Sequence, residues 1–456
     1  MKERETLGSR MGFILLSAGC AIGIGNVWRF PYMVGENGGG LFVLVYVLFL
    51  LALGVPIMTM EYAIGRSSRK SILLAYKQLE PKGSKWHIFG YFAIAGNYVL
   101  LMFYSVVSGW ILRYFVLSVV GTFQEQSPDQ ISAIYQEMMD SPVILIGFMA
   151  ITMVITIVVT SLGLEKGVER VTKIMMVALI LIMIGLGVKS LTLPGAGEGV
   201  KFYLMPNAEN VRKVGLGNVL YGALNQSFFT LSLGIGSMEI FGSYIKKERS
   251  LVGEALIVAG LDTFVAIVAG LITIPACFAY GVAPDKGPSL IFLTLPNVFA
   301  SMKGGRILGS LFFLFMYFAA LSTMIGVFEN DVSFSIDLFG HNRKKASLIA
   351  GLIITLGSVP CALGFNVLSF FQPLKAGNTV MDLEDFFVSN LLLPIGALIS
   401  CLFCTCKYGW GFDKYIEEVN AGEGIKVSPA LKWYFKIVLP IILVFLGVYG
   451  LWSYFA

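Results

Sequence analysis

Charge is what this chain has least of. Only 13% of its 456 residues are Asp, Glu, Lys or Arg, about half the share of an ordinary soluble domain. Histidine is nearly absent, with His87 and His341 alone. Both fall in loop regions expected to be solvated, which leaves no imidazole cluster for a transition metal. No glycine-rich loop followed by a lysine is present to cradle phosphates. No Ser, Cys or Thr is accompanied by a base, so the residues do not read as those of an enzyme. There is no long proline- or serine-rich linker, and a single domain is expected over 1–456. The net charge of +5 is modest and its basic residues sit in short loops, which excludes a nucleic-acid surface. Six cysteines are scattered, mostly in apolar stretches, and free buried thiols are expected. Cys401, Cys404 and Cys406 are closely spaced but have no histidine or acid beside them to complete a metal site.

What the chain has instead is hydrocarbon. Hydrophobic residues make up 56% of it, and the mean hydropathy is +0.79. Runs long enough to cross a bilayer, ~20 residues, recur from end to end. Eleven spans are expected, near 11–34, 41–65, 88–121, 142–161, 168–190, 214–244, 251–280, 307–337, 346–363, 383–405 and 432–454. Pro288–Ser301 reads as a hairpin dipping back from one surface. Leu16–Cys20 looks like a lipoprotein cleavage site, but a long polytopic chain follows it, so a span is the better reading. Arg66, Arg69, Lys70, Lys246, Lys247, Arg343 and Lys344 share one side with the amino end, whereas the loop 122–141 has only acids. The amino end is therefore expected in the cytoplasm and the carboxyl end outside.

Two spans carry glycine breaks. The first contains Gly19-Cys-Ala-Ile-Gly-Ile-Gly-Asn26, and the sixth contains Thr230-Leu-Ser-Leu-Gly-Ile-Gly236. Irregular backbone survives at membrane depth only where protein or a polar cavity surrounds it. Breaks in the first and sixth spans fit two five-helix repeats of opposite topology, about 8–190 and 214–405, with an extra span at 432–454. Such a pattern points to a secondary transporter with its site at mid-membrane. Carbonyls near Gly19, Ala21 and Ile22, the Asn26 side chain, and the hydroxyls of Thr230, Ser232, Ser322 and Thr323 are neutral oxygens suited to a small alkali cation. Taken singly, each hydroxyl is more simply read as bonding back to the preceding helical turn.

Glu61 and Asp262 lie within apolar spans, where a lone acid costs ~2.5–3.5 kcal/mol on insertion scales. Each is expected to face the interior. Glu61 reads as a hydrogen-bonder to unwound backbone, and Asp262 as a group that senses the ion. Arg29 with Asp385, and Arg4 with Asp337, fall at the outer and inner ends of spans. They read either as latches or as interfacial side chains snorkelling to water.

Gly23-Ile-Gly-Asn-Val-Trp-Arg-Phe-Pro31 followed by Glu36-Asn-Gly-Gly-Gly40 closely resembles the neurotransmitter:sodium symporter family, and in particular its bacterial amino-acid branch. The likeness extends over nearly the whole chain. It implies an all-α polytopic LeuT-type fold of 5+5 inverted repeats with spans 1 and 6 unwound, coupling to two Na⁺, and the bacterial inner membrane as location. One sodium site would use Ala21, Asn26, Thr230 and the substrate carboxylate. Asp262 would either join that site or supply the negative charge that animal members obtain from chloride, so no chloride requirement is expected. The second sodium site would use Gly19, Ile22, Ala319, Ser322 and Thr323. Tyr104 would bind the substrate carboxylate beside Gly23 and Gly25, and Leu100, Phe229, Ser232, Ile235 and Val327 would line the side-chain pocket.

Monoamine carriers of the family have an aspartate where Gly23 stands. A substrate here should therefore bring its own carboxylate, and the apolar pocket favours a neutral hydrophobic amino acid. A small polar amino acid such as glycine, or a receptor that binds without transport, is the competing reading. Besides lipid and substrate, no obligate protein partner is indicated. Three departures stand out. The chain has eleven expected spans rather than twelve, and Leu7 stands where tryptophan is common. In the fifth span Gly167 is followed ten positions later by Val177 rather than proline, which predicts slower opening of the inner side.

Overall fold

The computed structural model describes residue 5, residues 7–281 and residues 290–455. Arg4 of the expected inner latch and the first residues of the expected hairpin lie outside the described residues. The fold is built of helices. Strand pairing among the described residues is a single bridge between Arg249 and Glu423. Among the described residues nine helices are long and apolar enough to cross a membrane, from Gly40–Ser68 to Pro429–Phe455. Arg10–Ala21 and Gly25–Glu36 form a tenth, bent by 56° at its break. The sixth expected span is split into Leu216–Phe229 and Ser237–Gly242, of 14 and 6 residues. Neither half spans by itself. By length and composition the count among the described residues is thus up to ten rather than eleven, because a length test does not join two halves separated by seven unwound residues.

The breaks follow from local backbone chemistry. The first helix ends at Ala21, and Ile22 turns extended at ψ 92°. In the sixth span Ser232, Gly234 and Gly236 have φ of 51°, 89° and 81°. This left-handed region is open to glycine and strained for most other residues.

Elsewhere the helices bend rather than break. Six short π-helical stretches occur among the described residues. Five of them end two residues before a proline, at Pro31, Pro56, Pro296, Pro394 and Pro440. Proline lacks the N–H and crowds the carbonyl four residues earlier, and one wider turn relieves both problems. At Pro56 the carbonyl so released is that of Ala52, and the Tyr434 hydroxyl of the last span donates to it.

Several connections that the sequence left as loops are helical, among them Ile72–Leu79, Pro128–Asp140 and Phe412–Val419. They are short and amphipathic and lie on the bundle ends, where hydropathy scanning is blind to them. The expected hairpin contains the helix Leu295–Ser301, too short to span.

Glycines let the broken elements touch their neighbours. A Cβ on Gly396 would overlap the carbonyl oxygen of Gly234, and one on Gly65 would overlap that of Glu239. Gly185, by contrast, has nothing within 4 Å of where a Cβ would stand. Gly396→Ala is expected to lower stability by ~1–3 kcal/mol through overpacking, whereas Gly185→Ala is expected to be neutral or slightly stabilising. Thermal unfolding of the two variants in detergent checks this contrast.

Candidate functional site

The two breaks face each other, and their loosened backbone is held by buried side chains. Asn26 accepts from the Gly23 N–H at 3.1 Å, and the Tyr104 hydroxyl accepts from the Ile24 N–H at 2.9 Å. Gln226 donates to the Gly25 carbonyl at 3.0 Å. Across the gap, Glu61 accepts from the Gly234 N–H at 2.7 Å. Asn97 and Asn330 both donate to the Ile235 carbonyl, at 3.0 and 3.1 Å.

Asp262 is fully buried against this framework. Its carboxylate accepts from Asn26 Nδ2 at 2.8 Å, from Thr230 Oγ1 at 2.9 Å and from Tyr46 Oη at 3.3 Å. Asn26 Nδ2 also reaches Thr230 Oγ1 and the Asp262 carbonyl, at 3.0 and 3.2 Å. One amide nitrogen thus gathers three oxygens, as a small cation at the same point would. The structure brings Asn26, Thr230 and Asp262 together as a set, with Ala21 on the adjoining cavity wall.

A second oxygen cluster lies where the first helix meets the eighth span. The Thr323 hydroxyl is 3.2 Å from the Gly19 carbonyl and 3.3 Å from that of Ile22. A hydroxyl has one proton, so it satisfies one of the two carbonyls at a time and leaves electron pairs for a cation. Ser322 bonds back to Ala319 at 3.0 Å, the ordinary helical alternative. That bond uses the Ser322 proton and leaves lone pairs on both oxygens for an ion.

Between the breaks is a cavity of about 30 Å³, room for about one water. Gly23, Gly25, Leu100, Tyr104 and Phe229 contribute to its wall, as do Ser232, Ile235 and Thr323. Phe103 and Leu393 line it too, although nothing in the sequence singled them out. Val327 is buried one turn past Thr323 and is not on the wall. A side chain at Gly23 would collide with Tyr104 Oη and approach Thr323 Oγ1 to 2.6 Å. No charged side chain lines the cavity.

Above it is a larger cavity of about 270 Å³, walled by Trp28, Arg29, Tyr32, Phe103, Phe229 and Asp385, among others. Arg29 lies over the Phe229 ring, 4.1 Å from its centroid, and Asp385 accepts from Ser389 at 2.6 Å. Arg29 and Asp385 therefore share a cavity without forming the expected ion pair.

The opposite end is sealed. Glu169 accepts from the Gly8 N–H at 2.7 Å and from the Ser9 hydroxyl at 2.8 Å. Arg10 pairs with Glu254 at 2.8 Å, and Arg343 pairs with Glu329 at 2.7 Å and Glu5 at 2.6 Å. Asp337 accepts from the Ser71 N–H at 2.7 Å. The site is open toward the Arg29 side and closed toward the amino end. Of the residues that build this closure, sequence reasoning had flagged only Asp337. Buried polar residues inside apolar runs were the available signal for Asn97, Gln226, Glu329 and Asn330.

The family model described as the sodium:neurotransmitter symporter family matches residues 4–130 and 122–456. The chain belongs to this family. An uncharacterized sodium-dependent transporter of Bacillus subtilis strain 168, YhdH, is 36% identical over 460 residues, covering 100% of both chains. One from Methanocaldococcus jannaschii, MJ1319, is 34% identical, over 97% of this chain and 89% of the relative. The crystal structure of MhsT in complex with L-phenylalanine superposes with a TM-score of 0.87 at 36% identity, covering 98% of this chain and 100% of that one. The symporter fold is thus the LeuT type, an all-α multi-pass membrane architecture.

The fifth span changes its winding part-way along. It winds as a π-helix over Leu164–Glu169 and then as an unbroken α-helix over Arg170–Leu191, straight through the exposed Val177. A Cβ on Gly167 would overlap the Val159 carbonyl, so this glycine permits close packing as well as bending. Val177→Pro removes one helical donor, at a cost of ~3 kcal/mol in a helix interior. It is expected to loosen the turn that carries Glu169 and to speed hydrogen exchange over residues 164–177. Unchanged exchange there, with unchanged sodium release, would refute the idea that Val177 slows inner opening.

Proposed function

We propose that this chain is a Na⁺-coupled importer of neutral hydrophobic L-amino acids, aliphatic and aromatic, that works by alternating access in the bacterial inner membrane. The observation that carries the reading is the cavity between the two broken helices. Its wall is apolar apart from hydroxyls and, among the described residues, carries no charged side chain. A carboxylate supplied by the substrate would meet the Tyr104 hydroxyl beside Gly23 and Gly25, and would complete a sodium site with Ala21, Asn26 and Thr230. The second ion would sit among Gly19, Ile22, Ala319, Ser322 and Thr323. Support for an amino-acid substrate also comes from MhsT, whose structure is a complex with L-phenylalanine.

In this reading Na⁺ and substrate enter through the cavity beneath Arg29 and Asp385. Those two groups then close over Phe229. The repeats, about 8–190 and 214–405, rearrange, and the Glu169, Glu254 and Arg343 contacts release the inner end, with Arg4 and Asp337 taking part. At −100 mV each Na⁺ gains ~2.3 kcal/mol from the field, and a tenfold gradient adds ~1.4 kcal/mol. Two ions supply roughly 7 kcal/mol, enough for about 10⁵-fold accumulation of a zwitterion. With its amino end in the cytoplasm, the last span leaves the carboxyl end outside.

The small cavity volume favours one competitor, glycine. An aromatic side chain needs Phe229 to swing away from Gly25, where a Cβ would lie 2.9 Å from its ring. Sodium-dependent binding against the twenty amino acids decides between them. Leucine, phenylalanine or tryptophan is expected to bind best, and counterflow of the same compound in proteoliposomes is expected to show exchange. Glycine as the tightest ligand would overturn the substrate class, and binding without exchange would indicate a receptor.

Asp262 is proposed as the fixed negative charge of the first sodium site. Transport is then expected to be unaffected when gluconate replaces chloride. Asp262→Asn is expected to weaken apparent Na⁺ affinity at least about tenfold, equivalent to ~1.4 kcal/mol, and to make transport chloride-stimulated. Uptake assays in the two anions measure both effects.

A further inference from the structure

Behind the unwound part of the sixth span is a second group of oxygens that the mechanism above does not use. Glu61, from the second span, gives one carboxylate oxygen to the Gly234 N–H at 2.7 Å. Its other oxygen, Oε2, is buried with no hydrogen-bond partner. Glu239, in the helix Ser237–Gly242, is fully buried. Neither of its carboxylate oxygens has a hydrogen-bond partner. Glu61 is the ionisable neighbour of Glu239, and no basic side chain stands beside the pair among the described residues. The hydroxyls of Tyr76 and Ser400 lie next to the Glu239 carboxylate, but their hydrogen bond, 3.0 Å long, is to each other.

Two carboxyl groups buried together in a dry interior cannot both stay ionised unsupported: either they take up or share protons, or a cation compensates them. Three orphaned carboxylate oxygens with two hydroxyl oxygens alongside make a hard, all-oxygen donor set. The described residues contain no cluster of three His, Cys, Asp or Glu of the kind a transition metal would take. We infer that Glu61, Glu239, Tyr76 and Ser400 form a third Na⁺ site, separate from the two beside the substrate. Glu61 spans both worlds. One oxygen holds the Gly234 backbone of the substrate cavity's wall, and the other would hold the ion. An ion there would stiffen the break in the sixth span through that single side chain.

This inference rests on the reading of the chain as a Na⁺-coupled carrier, and the test separates the two. Equilibrium binding of ²²Na⁺ to the purified full chain with saturating substrate is expected to count three ions per molecule, and two in Glu239→Gln. The Hill coefficient for Na⁺ in substrate binding is expected to fall in parallel. Should Glu239→Gln fail to fold, the double variant Tyr76→Phe with Ser400→Ala keeps both acids. It is expected to weaken the third ion's binding at least about fivefold while two ions remain. Two ions in the wild type, or a count and affinity unchanged in these variants, would overturn the third site and leave the two-ion carrier standing. Absence of any Na⁺-dependent substrate binding would instead overturn the carrier reading itself.

Discussion

The structure depends on one requirement: peptide groups released from helical bonding in an apolar bundle must find other partners. Residues 22–24 and 230–236 leave N–H and C=O groups without their usual mates. Asn26, Tyr104 and Gln226 take up those of the first span. Glu61, Asn97 and Asn330 take up those of the sixth. Each of these side chains is buried and comes from an apolar helix, a placement that is expensive unless it is answered by a hydrogen bond. Backbone irregularity and buried polarity therefore support each other, and the cavity between the breaks is where both are concentrated.

The same logic sets the direction in which the molecule faces. On the side of the amino end, charged groups find partners within the protein. Glu169 pins Gly8 and Ser9, Glu254 holds Arg10, and Arg343 bridges Glu5 and Glu329. On the opposite side Arg29 rests on an aromatic face and Asp385 on a serine, and a cavity lies between the helices that carry them. Closing that side requires only that two charges already sharing a cavity meet. Opening the other requires several buried contacts to part, among them those of the unbroken turn beside Val177.

Much of the architecture was legible from residue type. Expected and observed span limits agree within a few residues at Pro142–Ser161, Leu251–Ala279 and Val380–Thr405, because apolar run length is a direct physical consequence of bilayer thickness. Glycine spacing located both breaks. Proline marks five of the six π-helical stretches, although the sequence does not say that a helix will widen rather than kink. The amphipathic connections, such as Ile72–Leu79, were missed because their apolar face is narrow and their surroundings are polar. Around the cavity, Gly23, Gly25, Thr230 and Ser232 were legible on the broken helices and Thr323 by its hydroxyl, whereas Leu100 and Tyr104 came only with the family resemblance. Phe103, Leu393 and Tyr46 were not legible, since an aromatic or leucine inside an apolar span carries no mark of which way it points.

The sequence by itself determined that this chain crosses a membrane repeatedly, that two of its helices are interrupted, and that a few acids and amides are buried where hydrocarbon would exclude them. These are properties of composition and period, decided by the transfer cost of each residue and the flexibility of glycine. Only the tertiary structure decided which orphaned backbone group meets which side chain, that Arg29 stacks on Phe229 instead of pairing with Asp385, and that Glu61 and Glu239 are buried as neighbours. Those outcomes depend on helix rotation and register across hundreds of residues. A rotation of a fraction of a turn would leave the hydropathy of every span unchanged and dismantle the site.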